Sequence, residues 1–214
     1  YTDICDAYYN ALRAFYDNDC EIRRHEVMGE MLSYEAEKQY RVRAMKDELT
    51  GIGNRHAYES EIAAIKGECE NGRVPDDITV FSLDVNGLKH VNDTYGHQAG
   101  DEYIRGGASC LEKAVGTVGN IYRIGGDEFV VIIDANKELM LEYRNKLKSR
   151  IEEYNSVEAY KLSMAVGESR LNNPNGVRGS ISDWKMNADM DMYREKDGFH
   201  KANRRMPNSA PYMP

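Results

Sequence analysis

Three acidic side chains stand where apolar runs end. Asp84 lies at the exit of Ile78 to Val85 (I-T-V-F-S-L-D-V), a β-branched stretch apolar enough to read as a buried central strand. Asp127 and Glu128 follow Gly125-Gly126 between two further β-rich runs, Asn120 to Ile124 and Phe129 to Ile133, and a glycine pair in that setting signals a hairpin. If the middle strands of the sheet are neighbours, the three carboxylates meet at one sheet edge. Acids held together raise one another's pKa, so the cluster is unfavourable unless a cation joins it. Hard oxygen ligands select Mg2+ or Mn2+, and Mg2+ usually takes one or two protein carboxylates and completes its shell with nucleotide phosphates. A lone D-G or D-E turn is more often plain solvated hairpin chemistry, so the acids alone leave both readings open.

Val85-Asn86-Gly87-Leu88-Lys89 follows Asp84 as a short turn out of the strand. Gly87 lets backbone N–H groups face a ligand and Lys89 adds a positive charge, a combination suited to phosphate, although no Walker-type G-x-x-x-x-G-K run is present. Farther on stand Asn92, Asp93, His97 and Asp101. An Asn with an Asp offers donors and acceptors complementary to the base edge of guanine. The same side chains serve equally well as helix caps.

These groups need a scaffold. Residues 54 to 70 read as a helix and Asn71 to Asp77 as a loop; helices are then predicted from about Gly100 to Val115 and from about Lys137 to Tyr154. A last strand is predicted from about Ala159 to Val166 and a last helix from Ile181 to Lys196. From Ile78 the order is β-α-β-β-α-β, which predicts an α+β fold: a ferredoxin-like or palm core whose central, mainly antiparallel sheet is flanked by helices, expected here over one face. Residues 1 to 46 contain no proline and one glycine, Gly29, and read as one long helix or two. Met28, Met31, Glu35, Lys38, Val42, Met45 and Leu49 fall at spacings of three and four, a heptad phase with two charged interruptions. This fits a helix packed on its own domain or a parallel two-stranded stalk. The expected division is a helical signalling or dimerisation extension over 1–46, a globular domain over 47–205 and a proline-containing tail over 206–214.

Length and composition set bounds. A chain of 214 residues holds one well-cored domain with an appendage, and 30% charged with 41% hydrophobic residues is a soluble globular balance. No apolar run approaches the roughly 20 residues of a membrane span. A net charge of −8 disfavours nonspecific nucleic-acid binding, while a single nucleotide carried with magnesium remains compatible. Cys5, Cys20, Cys69 and Cys110 show no C-x-x-C pairing, which fits reduced thiols in a cytoplasmic catalytic portion. The chain opens on Tyr1 rather than Met and reads as a fragment; membrane anchoring of a longer protein would rest on that start alone.

Four motifs, in order, resemble the GGDEF family of diguanylate cyclases across nearly all of Asp47 to about Lys201. They are D-E-L-T-G-I-G-N-R (Asp47 to Arg55), L-D-V-N-G-L-K-H-V-N-D-T-Y-G-H-Q-A-G-D (Leu83 to Asp101), R-I-G-G-D-E-F (Arg123 to Phe129) and A-D-M-D-M-Y-R-E-K (Ala188 to Lys196). The resemblance implies a nucleotidyl cyclase-like fold that condenses two GTP into cyclic di-GMP and pyrophosphate. It implies that Asp84, the Val85 carbonyl, Asp127 and Glu128 hold Mg2+ or Mn2+. Asn92 and Asp101 would bind guanine with His97 close by, and Gly87 and Leu88 would line the phosphates. Lys89 would stabilise phosphate charge, Lys196 would reach the β or γ phosphate, and Asp127 would accept the proton of the ribose 3′-hydroxyl. Each domain resembles a half-site with one GTP, so a homodimer belongs to the implied mechanism and gives the heptad stretch a use.

The chain also departs from the family. Gly116 and Gly119 occupy the places of an inhibitory R-x-x-D pair, which predicts no product inhibition through that site. His200 stands where a phosphate-contacting Arg is usual, with Lys201, Arg204 or Arg205 as candidates to compensate. Ala165 replaces a common Ser without a functional reading. Rival expectations are a catalytically silent GTP-binding sensor or docking domain, a cyclase acting on one nucleotide or making a mixed product, and a dimerisation stalk with an inert cap.

Overall fold

The computed structural model describes residues 2–72, 78–134, 136–158, 160–171 and 181–204. It divides into two units, Tyr1–Ala44 and the part from Met45 onward. The first is a single helix, α1 (Thr2–Ala44), rather than two. It carries ion pairs one turn apart, Arg23 with Asp19 and Arg41 with Glu37, and places Arg41 and Arg43 in its last turn, where cations oppose the helix dipole. Tyr8, Phe15, Met28, Met31 and Val42 are exposed along it. The helix stops before Met45 and Leu49, so the heptad spacing outruns the element that would use it. Among the described residues no helix is long and apolar enough to cross a membrane.

In the second unit, α2 (Arg55–Glu70) is capped by Asn54, whose side chain accepts from the Ala57 N–H at 3.0 Å. The sheet comprises β1 (Ile78–Val85), β2 (Gly119–Arg123), β3 (Glu128–Asp134) and β4 (Met164–Arg170), ordered β2-β3-β1-β4 with every pairing antiparallel. The register sets Asp84 opposite Glu128, Ser82 opposite Val130 and Val80 opposite Ile132. Alternation then sorts the side chains. Phe81, Leu83, Val131 and Ile133 pack with Tyr103, Ile104 and Leu111 of α4 (His97–Val115) and Leu147 of α5 (Lys137–Val157). Val80, Val130 and Ile132 pack with Ile65 and with Trp184 and Ala188 of α6 (Ile181–Arg204). Helices therefore cover both faces, not one. The reason is visible in β1, which is apolar at both parities and so requires cover on both sides; each fully buried aliphatic or aromatic side chain there contributes about 1.5–3 kcal/mol.

Several boundaries differ from expectation, and the last helix runs to Arg204 rather than ending at Lys196. A short helix, α3 (Leu88–Tyr95), occupies what reads as turn, and α4 starts at His97 rather than Gly100. The last strand lies later, because residues 160–163 are a connection held by Tyr103, whose hydroxyl donates to the Lys161 carbonyl at 3.0 Å, and by Asn155, which accepts from the Leu162 N–H at 2.7 Å. Among the described residues, strand β4 has a neighbour on one side only. Its Glu168 N–H donates to the Asp191 carboxylate at 3.3 Å, and Arg144 joins Glu168 to Glu195 at 3.3 and 2.6 Å. The side chains of Cys5 and Cys20, residues 73–77 of the expected loop, the His200 and Lys201 side chains, Arg205 and the tail lie outside the described residues. Cys69 and Cys110 are free thiols.

Candidate active site

Antiparallel pairing brings Asp84 and Glu128 to directly opposed positions, so both side chains project on the face that α6 covers. One residue on, the Val85 N–H donates to the Asp127 carbonyl at 2.9 Å. The turn between β2 and β3 closes on Glu128, whose carbonyl accepts from the Ile124 N–H at 3.0 Å. Its carboxylate folds over Gly125, where a Cβ would stand 2.8 Å from Oε2 and would push the carboxylate aside. Arg123 braces the same turn. Its guanidinium donates to the Gly126 carbonyl at 2.8 Å and pairs with Asp47 at 3.1 Å, and Asp47 in turn accepts from the Thr50 hydroxyl at 2.6 Å.

Asp84 is 3% exposed, and Lys196 of α6 donates to its Oδ2 at 2.6 Å. The other oxygen, Oδ1, is buried without a hydrogen-bond partner. Burial pushes the Asp84 carboxyl above its ordinary range; the Lys196 ammonium opposes this, while the negative charges of Asp127 and Glu128 add to it. An orphaned anionic oxygen beside two further acids is a donor set that a hard divalent cation fits, with one or two carboxylates and the remaining positions left to a ligand. As the side chains stand, no group of three or more His, Cys, Asp or Glu among the described residues is gathered for a metal ion.

Helix α6 is fixed on the sheet at three places. Gly167 of β4 lies against its backbone, such that a Cβ would overlap the Ala188 carbonyl and the Met192 nitrogen. Trp184 is 2% exposed and donates from Nε1 to the Ser169 carbonyl at 2.8 Å. The Ser82 hydroxyl, buried two residues before Asp84, donates to Asp189 and lies 3.0 Å from the Lys185 ammonium, which also pairs with Asp189. Lys196 follows Met192 by one turn, which accounts for its reach to Asp84.

Gly87 has φ +80°, a conformation that favours glycine, and it turns the chain from β1 into α3. The α3 N-terminus has no side-chain cap, which leaves its first N–H groups without a side-chain acceptor there. Leu88 is half-buried and Lys89 exposed. Asn92 lies half-buried with its side chain against Gly100; a Cβ there would overlap Asn92 Oδ1. Asp101, the next residue of α4 after Gly100, is exposed, as is His97. The structure thus joins Asp84, Val85, Asp127, Glu128 and Lys196 around one turn and sets the Asn92 side chain against Gly100. It shows no contact of Lys89 or His97 with either group. Sequence reasoning missed the Ser82–Lys185–Asp189 group and the Asp47–Arg123 pair; Lys185 and Asp189 carried the local signal of a helical pair four residues apart, whereas Ser82 and the Asp47–Arg123 partners are too distant in the chain for one.

With this geometry established, the family model "Diguanylate cyclase, GGDEF domain" matches residues 44–201. The chain belongs to the GGDEF family. Its relatives include diguanylate cyclase DgcS of Shewanella oneidensis, 36% identical over 97 residues that make up 44% of this chain and 31% of DgcS. Another is an uncharacterized membrane protein of Staphylococcus epidermidis, 29% identical over 143 residues, 64% of this chain and 38% of that protein. The chain therefore spans about a third of the length of these curated relatives. Among solved structures, the coiled coil and GGDEF domain of DgcB from Caulobacter crescentus, in complex with c-di-GMP, is similar with a TM-score of 0.70 and 26% identity, covering 83% of this chain and 94% of that one. Diguanylate cyclase SiaD of Pseudomonas aeruginosa, crystallised with its activator SiaC, shares the fold at a TM-score of 0.64 and 18% identity, covering 92% and 73%. The α+β sheet of this GGDEF domain is the one its motifs implied.

Proposed function

We propose that this GGDEF domain is an active diguanylate cyclase, and that the observation carrying the reading is the buried Asp84 carboxylate, half paired with Lys196 and half unpartnered, beside the Asp127-Glu128 turn. Asp84, the Val85 carbonyl, Asp127 and Glu128 would hold Mg2+ or Mn2+, which when bound neutralises phosphate charge and polarises the reacting phosphorus centre. The uncapped start of α3, with Gly87, Leu88 and Lys89, receives the phosphates, and Lys196 turns to the β or γ phosphate. Asn92 and Asp101 read the guanine edge, with His97 beside the nucleotide. Asp127 accepts the proton of a ribose 3′-hydroxyl as that oxygen bonds to the α-phosphorus of a second GTP and the bond to pyrophosphate breaks. A second such transfer closes the ring and releases a second pyrophosphate.

One domain presents one such site, so two copies must face each other. The apolar residues exposed along α1 are suited to pairing with a second copy, and the helix would then hold the domains in reach of one another. An upstream region would regulate the rate through that pairing.

The test is product identification by mass spectrometry after incubating the chain with GTP and Mg2+, beside Asp84→Asn and Asp127→Ala. Cyclic di-GMP from the unchanged chain alone is expected. GTP binding without turnover, persisting in an artificially dimerised form, would refute the enzyme reading and leave a silent nucleotide-binding domain.

A further inference from the structure

Lys196 donates to the one Asp84 oxygen that has a partner, at 2.6 Å, with the lysine side chain 26% and the aspartate side chain 5% exposed. An ammonium on one oxygen and a divalent cation on the other repel each other strongly across so shielded a carboxylate. Moving the ammonium off Asp84 with nothing to receive it forfeits a charge-assisted hydrogen bond. A triphosphate changes this, because it supplies a new anionic partner. The backbone need not move, since α6 is fixed at Gly167, Trp184 and Asp189. Only the flexible four-carbon stem of the lysine has to swing.

We propose that Lys196 competes with the divalent cation for Asp84 and yields the carboxylate only when a triphosphate is present to take its ammonium. The inference rests on the metal-nucleotide reading above and adds a coupling: cation and nucleotide binding are linked through one lysine, and the linkage is reciprocal. Cation alone binds weakly, because it must displace a lysine left without an anion. Cation with nucleotide binds well, because the displaced ammonium becomes a phosphate contact.

The experiment titrates Mn2+ alone, without nucleotide, into the full chain and reads free Mn2+ by electron paramagnetic resonance, for the unchanged chain, Lys196→Met, Lys196→Arg and Asp84→Asn. Lys196→Met is expected to bind Mn2+ about tenfold more tightly, equivalent to about 1.4 kcal/mol. Lys196→Arg should stay near the unchanged chain because it retains the charge, and Asp84→Asn should lose binding. With Mn2+ saturating, α,β-methylene-GTP should bind Lys196→Met more weakly than the unchanged chain. If Lys196→Met binds Mn2+ no more tightly while Asp84→Asn still abolishes binding, the competition is overturned and the metal reading stands. If Asp84→Asn binds Mn2+ as the unchanged chain does, the carboxylate reading fails and the inference falls with it.

Discussion

Gly167→Ala should damage the site from a position that touches none of its chemistry. A Cβ at residue 167 would overlap the Ala188 carbonyl and the Met192 nitrogen and would stand 2.9 Å from the Met192 Cα. All three are helix backbone, so no flexible side-chain end can give way. To restore ordinary contact α6 must lift off the sheet by roughly an ångström, and overpacking of this kind costs about 1–3 kcal/mol. For a domain of this size each kcal/mol lowers Tm by about 2–4 °C. Lys196, one turn beyond Met192, would be drawn away from Asp84, and a displacement of about 1 Å in a positioning group can cost on the order of a hundredfold in rate. The assay pairs thermal unfolding with cyclic di-GMP production at saturating GTP. Gly198→Ala is the control, because a Cβ at that position on the same helix meets nothing within 4 Å. Unchanged Tm and turnover in Gly167→Ala, or equal losses in Gly198→Ala, would refute the reasoning.

Three further outcomes are expected. Because burial raises the Asp84 carboxyl, the unfolded chain ionises there first as pH rises, and the folded state loses stability between the ordinary carboxylate range and the raised value. Asp84→Asn should therefore unfold at a higher temperature than the unchanged chain at neutral pH, with the difference vanishing near pH 4 in a melting series. Arg123→Gln frees the Gly126 carbonyl and leaves Asp47 without its cation, so turnover should fall by about tenfold or more, given about 1.5–3 kcal/mol for hydrogen bonds to charged groups; an unchanged rate in steady-state assays would count against the brace. The Gly116→Arg, Gly119→Asp double variant should not create a tight cyclic di-GMP site by calorimetry. Gly116 has φ +63°, and a Cβ at Gly119 would overlap the Ile133 side chain and stand 2.6 Å from the Ile132 carbonyl, so both positions resist side chains.

Most of the sheet was legible because its strands are short apolar runs set off by Gly, Pro, Asn and Asp, and the turn acids were legible because they interrupt those runs. Helix α3 escaped notice because Asn92, Asp93 and Thr94 are poor helix formers; its signal was the pair Leu88 and Val91, one turn apart. Gly100 looked like a helix start but sits inside α4, where the Asn92 side chain takes the space a Cβ would fill. The last strand was misplaced because its exit, Glu168 to Arg170, is polar, as a strand with a single neighbour allows. Lys196 came from motif resemblance only. Its partner lies 112 residues away, and nothing local in either segment announces the pair.

The open side of β4 has a further consequence. The proposed cyclase reaction needs two copies to meet face to face, and a strand edge left open would let copies join sheet to sheet instead. Asp191 engages the Glu168 N–H, and Arg144 links Glu168 to Glu195 beside it. Charge set on this border disfavours adhesion between sheets.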